Sequence, residues 1–149
     1  MGLIEEIGPG AVAIDTAIFI YFIEEEPRYL PLIVPLFQQA DSGKRELVTS
    51  AVTLLEVLGV PYRVGRVQLA DRYELLLTRS RGIRMVDVTR DQLRAAAQLR
   101  AATGMKVPDA LQVVAALRAD CRTLLTNDRG LPVVPGLRIV QLSSYLERE

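Results

Sequence analysis

Short runs of consecutive apolar residues alternate along the chain with longer segments in which apolar residues recur every three or four positions. The short runs predict strands at 11–14, 46–50, 83–88, 122–126 and 137–142. The longer segments predict a helix that begins at 17, followed by helices at 28–43, 51–60, 66–80, 89–104 and 106–120. A short last helix is predicted to begin at 143. Strands that alternate with helices pair in parallel through right-handed crossovers. The pattern therefore predicts an α/β fold with one sheet between two helical layers, and a single domain over residues 1–149.

One helix carries a residue of particular interest. In the helix at 51–60, the spacing of Val52, Leu55, Leu58 and Gly59 predicts the side that faces the core. Glu56 lies at the edge of that side, next to Leu55 in the sequence. A glutamate at such an edge is usually solvated.

Composition excludes several kinds of chemistry. The 149 residues include 18 basic and 18 acidic side chains, no histidine and one cysteine. Without histidine there is no imidazole base for a catalytic triad and no histidine-containing zinc site, so any metal must be held by oxygen ligands. The lone Cys121 cannot form an internal disulfide, which suits a reducing cytoplasm. Because no apolar run is long enough to cross a bilayer and the first residues are not a secretory signal, we expect a cytoplasmic protein without membrane association.

Four carboxylates occupy positions that converge in such a fold. Two follow apolar strands, one falls in the first turn of a helix, and one lies on a helix directly after a strand: Asp15, Asp128, Asp109 and Glu56. In a parallel α/β sheet, strand ends and helix starts share the edge where ligands bind. Two carboxylates about 4 Å apart repel by about 4 kcal/mol at an effective dielectric constant near 20. One or two Mg²⁺ or Mn²⁺ ions would remove that repulsion and support phosphoryl chemistry.

Each acid also has a purely structural interpretation. Asp15 can be the N-cap of the helix that follows it, Asp109 suits the positive end of a helix dipole, and Glu56 can be solvated. These interpretations leave open a non-catalytic α/β module that binds protein or nucleic acid. An acidic site would also suit a DNA nuclease or a phosphatase. A receiver domain fits less well, because the last predicted strand, within LRIVQLSSYL, offers no lysine.

The ordered stretches AIDTAIFIYF, TSAVTLLEVL, VPDALQVVAAL and TLLTNDRGL resemble the four motifs of the PIN-domain ribonucleases, particularly the VapC-type toxins of toxin–antitoxin pairs. The resemblance covers nearly the whole chain. It implies a three-layer α/β/α fold with a five-stranded parallel sheet in the order 3-2-1-4-5. It also implies Mg²⁺- or Mn²⁺-dependent cleavage of single-stranded RNA that leaves a 5′ phosphate, a homodimer, and a small antitoxin partner that can insert an arginine among the acids.

The same resemblance implies roles for individual residues. The family's metal-binding acids match Asp15, Glu56, Asp109 and Asp128. Three of them would hold one or two ions, and Glu56 would bind a second ion or position the attacking water. Thr16 and Asn127 match positions that support the site by hydrogen bonds. Gln112 stands where many relatives have other residues, but it replaces no ligand, so we expect an active site.

Basic residues are concentrated between positions 61 and 106, where ten stand against four acidic ones. Some of them can grip the RNA backbone, although a solubilising surface is an equally good interpretation. The candidates are Arg63, Arg66, Arg79, Arg81, Arg84 and Lys106. Lys106, three positions before Asp109, takes the place of the basic residue that the family has shortly before its third acid. Phosphate contacts of this kind set affinity and not sequence choice.

Overall fold

The structure, a computed structural model, describes residues 2–148. The helices within these residues are α1 (Leu3–Ile7), α2 (Thr16–Ile23), α3 (Leu30–Asp41), α4 (Val52–Arg63), α5 (Val67–Arg79), α6 (Arg90–Thr103) and α7 (Val107–Arg118). The strands are β1 (Val12–Ile14), β2 (Leu47–Ser50), β3 (Ile83–Val86), β4 (Thr123–Thr126) and β5 (Arg138–Gln141). A 3₁₀ helix spans Leu142–Arg148.

The five strands form one parallel sheet in the order β3-β2-β1-β4-β5. The predicted fold class and strand order are therefore confirmed. β1, β2 and β4 lie at the centre, and all of their residues are buried. Ala13 of β1 lies opposite Val48 of β2 and Leu124 of β4. The strands thus end together at one edge of the sheet, which we call the carboxyl edge.

The sheet separates two hydrophobic clusters. One contains Ile14 of β1 and residues of α1 to α5, and the other contains Ala13 of β1 and residues of α6 and α7. Neighbouring residues of β1 therefore face opposite layers, as expected of a strand covered on both sides. Cys121 belongs to the second cluster as a buried free thiol. None of the described helices is both long and apolar enough to cross a lipid bilayer.

The buried side of α4 differs from the prediction. Leu55 is 74% exposed and Gly59 is also exposed, whereas Thr53, Val57 and Pro61 are buried. The prediction that Leu55 and Gly59 face the core is therefore wrong. It assumed that only apolar side chains face inward, but the hydroxyl of Thr53 is fully buried and hydrogen-bonded. The inward side is thus displaced from the predicted one by about one position.

Two further differences concern short elements. Helix α1 has only five residues, which is too few to show helical periodicity in a sequence. Its Leu3 and Ile7 are nevertheless buried. The strand predicted at 83–88 ends at Val86. Thr89 caps α6 soon afterwards by accepting a hydrogen bond from the backbone N–H of Gln92.

Candidate active site

The four carboxylates predicted to converge all lie on elements that meet at the carboxyl edge. Asp15 directly follows β1 and is the N-cap of α2. Asp128 comes two residues after β4, and Asp109 lies in the first turn of α7. Glu56 lies in the second turn of α4, the helix that follows β2. Four separate elements therefore contribute one acid each.

The pKa of Asp109 indicates that these acids form one cluster. Desolvation raises this pKa most, followed by the negative charges of Asp128 and Asp15, a hydrogen bond to Asp128, and the charge of Glu56. Together these effects bring the pKa of Asp109 to about 6. Nearby like charges shift a pKa in this direction in a partly buried site. The cluster therefore carries crowded negative charge, and we call these four residues the acidic cluster.

Asp15 is held rigidly at the centre of the sheet edge. Its Oδ1 accepts a hydrogen bond of 2.8 Å from the backbone N–H of Thr16, and its Oδ2 accepts one of 2.6 Å from the Thr126 hydroxyl. The same Thr126 oxygen accepts the backbone N–H of Asp128 at 3.0 Å. Asp15 is thus both a helix cap and a member of the cluster, so the capping role does not exclude a role in the acidic site.

Thr16 and Asn127 contact the elements that carry the acids. The hydroxyl of Thr16 donates a hydrogen bond of 2.7 Å to Glu56 Oε1. Asn127 donates from Nδ2 to the Tyr21 hydroxyl at 3.3 Å and accepts the backbone N–H of Ser143 at 3.0 Å. The first contact orients a cluster side chain, and the other two fix the loop that precedes Asp128.

Within residues 2–148, no lysine or arginine forms an ion pair with a member of the cluster. Among the described residues, ion pairs join Arg28 to Glu26, Arg84 to Glu46, and both Arg94 and Arg118 to Asp91. None of these pairs includes a member of the acidic cluster. The repulsion that raises the pKa of Asp109 is therefore not offset by a lysine or arginine at ion-pair distance within residues 2–148.

The donor atoms of the cluster fit a hard divalent cation. Carboxylate oxygens are the ligands that Mg²⁺ and Mn²⁺ prefer. Within the described part of the chain, no three acidic or cysteine side chains are arranged as ligands of a single ion. Mg²⁺ usually keeps several water molecules and takes only one or two protein carboxylates, so three convergent ligands are not required.

A comparison of the sequence with family models decides the classification. Residues 12–137 match the model of the PIN domain, a span that runs from β1 to the residue before β5 and includes the whole acidic cluster. The chain belongs to the PIN domain family. The resemblance drawn from the four motifs is thereby confirmed. No curated protein matches this PIN domain in sequence.

Solved structures share the architecture of this PIN domain. VapBC2 from Rickettsia felis, bound to a DNA fragment from its promoter, has 18% identity and a TM-score of 0.64 over 88% of this chain and 98% of that chain. A toxin–antitoxin complex from Klebsiella pneumoniae has 18% identity and a TM-score of 0.65 over 88% and 97%. VapC20 from Mycobacterium tuberculosis, a sarcin-ricin loop cleaving toxin, has 15% identity and a TM-score of 0.66 over 80% and 91%. At these identities the likeness shows the fold.

Two of the predicted basic residues flank the acidic cluster of this PIN domain. Arg66 and Glu56 line the same pocket of about 230 Å³ between α2, α4 and α5. Lys106 lines a second pocket, of about 210 Å³, together with Asp109 and Asp128. Positive charge therefore lies on two sides of the cluster, and Arg63 is exposed at the end of α4, three residues before Arg66.

The structure does not bring the other three predicted bases to the cluster. Arg79 ends α5 and Arg81 follows it before β3 begins, so both lie at the amino-terminal ends of the strands. Arg84 forms an ion pair of 3.8 Å with Glu46, which precedes β2. The basic stretch of the sequence runs across the molecule, and its residues therefore reach both edges of the sheet.

Sequence reasoning missed a buried polar network behind the cluster. The side chains of Thr49, Thr53 and Gln112 are at most 3% exposed and hydrogen-bond one another. Gln112 is three positions after Asp109 in a helix whose other inward residues are apolar. A buried amide in such a helix requires hydrogen-bond partners. A glutamine among the apolar inward positions of α7 is therefore the sequence feature that could have indicated the network.

Proposed function

We propose that this PIN domain is a Mg²⁺- or Mn²⁺-dependent endoribonuclease that cleaves single-stranded RNA and acts as the toxin of a toxin–antitoxin pair. The observation that carries the proposal is the acidic cluster, in which four elements deliver carboxylates to one edge and raise the pKa of Asp109 to about 6. Crowded, desolvated acids without a cationic partner destabilise a fold unless a cation binds. Perturbed acids of this kind are typical of sites for metal-assisted hydrolysis.

The four acids divide the work of the site. Asp15, Asp109 and Asp128 would hold one or two ions between them, and Glu56 would bind a second ion or position the attacking water. A bound divalent ion would lower the pKa of a water molecule so that hydroxide is available near neutral pH to attack phosphorus, and it would stabilise charge on the phosphoryl oxygens. Thr16 holds one carboxylate oxygen of Glu56 by a 2.7 Å hydrogen bond. Glu56 Oε2 is thereby directed to accept a hydrogen bond from water or to serve as a ligand.

In this proposal the RNA backbone runs across the acidic cluster between two basic side chains. Arg66 lies in the pocket on the side of Glu56, and Lys106 lies in the pocket on the side of Asp109 and Asp128. Phosphates that flank the scissile bond are therefore bound on either side of the cluster. Such contacts position the strand and strengthen binding, and they carry no direct base recognition.

The toxin role rests on the chemistry of the cluster and on the structural neighbours. Two of those neighbours are described as toxin–antitoxin complexes or VapBC assemblies, and a third as an RNA-cleaving toxin. A small antitoxin that presents an arginine would find crowded carboxylates to pair with. We also propose a homodimer, and Leu55, which is 74% exposed on α4, is a candidate for its interface.

Binding of a divalent ion should stabilise the protein measurably. At a Mn²⁺ concentration 100 times the dissociation constant, the free energy of unfolding should rise by about 2.7 kcal/mol. Thermal denaturation of the full chain in EDTA, Mg²⁺ and Mn²⁺ measures the effect. The same samples should cleave single-stranded RNA only when the ion is present.

Parallel assays separate this function from its competitors. Cleavage of single-stranded DNA in preference to RNA would identify a DNA nuclease, and hydrolysis of phosphomonoesters alone would identify a phosphatase. A protein that shows neither ion-dependent stabilisation nor cleavage of any of the three substrates would be a binding module, and the proposed function would be wrong.

A further inference from the structure

Gln112 is buried at the junction of the two helices that carry Glu56 and Asp109. It lies on α7, three positions after Asp109 and therefore on nearly the same side of that helix. Its side chain is 3% exposed, and both its amide oxygen and its amide nitrogen are hydrogen-bonded. The partners lie at the end of β2 and in the first turn of α4. One amide thus ties together three elements behind the acidic cluster.

The orientation of this amide is fixed by a backbone group. The N–H of Ser50 donates a hydrogen bond of 3.1 Å to Gln112 Oε1. A backbone N–H can only donate, so the atom that faces it must be the oxygen and not the nitrogen. The Gln112 Nε2 group therefore points the other way, toward Thr53 Oγ1 at 2.6 Å and Thr16 Oγ1 at 3.4 Å.

An amide nitrogen in this position dictates the direction of the hydroxyl protons. The Gln112 Nε2 group can only donate, so the hydroxyls of Thr53 and Thr16 must present lone pairs to it. Those two hydroxyl oxygens are 3.0 Å apart. The proton of Thr16 is then free to point at Glu56 Oε1, 2.7 Å away, and the Thr53 proton can point at Thr16. The Thr53 hydroxyl also lies 2.7 Å from the Thr49 hydroxyl, which then donates to it. Hydrogen bonds accordingly run from Gln112 and Thr49 through Thr53 and Thr16 to Glu56.

Burial makes this arrangement specific. Thr53 and Thr49 are 0% and 1% exposed, and Thr16 is 8% exposed. Water is thus largely kept from satisfying these hydroxyls, and each depends on its protein partners. Glu56 itself is exposed, so its carboxylate is held by Thr16 and not by packing. Loss of the amide would allow the Thr16 hydroxyl to donate to Thr53 instead of Glu56, and the Glu56 carboxylate would then be free to move.

We propose that Gln112 is a positioning residue, which acts through Thr53 and Thr16 to hold Glu56 at a set distance from Asp109. The inference rests on the proposed function, because it assigns the network a role in metal binding by the acidic cluster. Gln112 touches neither the ion nor the RNA. Its role differs from simple core packing, which an apolar side chain of similar size would perform as well.

Replacement of Gln112 by methionine tests the proposal, because methionine keeps the length and loses the hydrogen bonds. Mn²⁺ binding to the full-length protein is measured from the electron paramagnetic resonance signal of free Mn²⁺. We expect Gln112→Met to weaken Mn²⁺ binding by about 10- to 100-fold, the range for residues that orient metal ligands. The matched control is Gln92→Met, since Gln92 is a second buried glutamine, in α6, whose Oε1 has no hydrogen-bond partner. This control should bind Mn²⁺ as the wild type does.

A second pair of variants tests the path and covers the case in which Gln112→Met does not fold. Thr53→Val removes the intermediate hydroxyl and should weaken Mn²⁺ binding, whereas Thr53→Ser keeps a hydroxyl and should restore it to within about threefold of the wild type. In a protein that already carries Thr16→Val, the Gln112→Met change should have little further effect on Mn²⁺ affinity. A full additional loss would show that Gln112 does not act through Thr16.

The outcomes distinguish this inference from the proposed function. If the wild type binds Mn²⁺ and both Gln112→Met and Thr53→Val bind it equally well, even with lower thermal stability, the network is only structural and the positioning role is rejected. If the wild type binds no Mn²⁺, the metal-dependent function and the positioning role fail together.

Discussion

Replacement of Asp15 by asparagine is expected to reduce RNA cleavage by more than about 100-fold while the protein stays folded. Asparagine is as good an N-cap as aspartate, so α2 should keep its first turn. Its Oδ1 can still accept the N–H of Thr16, and its Nδ2 can donate to the hydroxyl of Thr126, which has a lone pair available. What the variant loses is one negative charge at the centre of the acidic cluster. Cleavage of a labelled single-stranded RNA in Mn²⁺, with circular dichroism as the check on folding, measures the effect.

Asp87→Asn is the matched control for this experiment. Asp87 directly follows β3, as Asp15 follows β1, so the change is the same and lies at the same edge of the sheet. Asp87 is not among the groups that act on the pKa of Asp109, and the site assigns it no role. We expect its cleavage rate to stay within about twofold of the wild type. Full activity in the Asp15→Asn variant would overturn the assignment of the cluster as the active site.

Replacement of Asp109 by asparagine is expected to stabilise the protein in EDTA at neutral pH and to have little such effect at pH 4. The pKa of Asp109 is about 6 in the folded protein and 3.8 for the unperturbed group. Between these values the folded state binds more protons than the unfolded state, so this group makes stability fall as pH rises. Asparagine removes that dependence. The stability gain of the variant should therefore grow from about pH 4 to pH 6 and then stay constant, as followed by melting temperature.

Divalent ions should make the wild type more stable than Asp109→Asn, which is the reverse of the order in EDTA. In saturating Mn²⁺ the wild type gains stability from the bound ion, and Asp109→Asn gains less because a ligand is missing. The Asp15→Asn variant provides a further check in EDTA, since it removes one of the charges that raise the pKa of Asp109. In this variant, the pH range over which Asp109 makes stability fall should become narrower but should not disappear. A difference between wild type and Asp109→Asn that does not change between pH 4 and pH 8 would contradict the interpretation of the cluster.

The acids of the cluster were predictable because their positions depend on topology and not on side-chain packing. Alternating strands and helices imply a parallel sheet, and residues that follow strands in such a sheet must meet at one edge. Asp15 and Asp128 follow β1 and β4, which are neighbours in the observed order. Glu56 and Asp109 lie in early turns of helices that begin at that edge. No contact between distant side chains had to be known.

The basic residues show where that reasoning stops. Arg66 and Arg79 bracket the same helix, yet only Arg66 lines a pocket with a member of the acidic cluster. A helix of 13 residues is about 20 Å long, so its two ends serve different edges of the sheet. The local density of basic residues in the sequence does not distinguish Arg66 from Arg79. Their distance from the acidic cluster depends on the path of the chain in three dimensions.

The pattern of apolar and polar positions could not predict the buried network, for a different reason. Thr16 and Thr53 are 37 positions apart, and Ser50 and Gln112 are 62 positions apart, yet both pairs are hydrogen-bonded. Read singly, a threonine or a glutamine counts as a surface residue. The misplacement of the inward side of α4 has the same origin, because Thr53 is buried by its hydrogen bonds and Leu55 is exposed.

The amino-acid sequence by itself determined the parallel sheet, its strand order through the family motifs, and the edge at which the four acids lie, since these follow from the order of elements along the chain. Only the tertiary structure decided which bases flank the acids and which polar groups hold Glu56 in place. The reason is physical: covalent order sets where a strand or helix ends, whereas a buried hydrogen bond depends on the distance and direction between atoms that packing brings together.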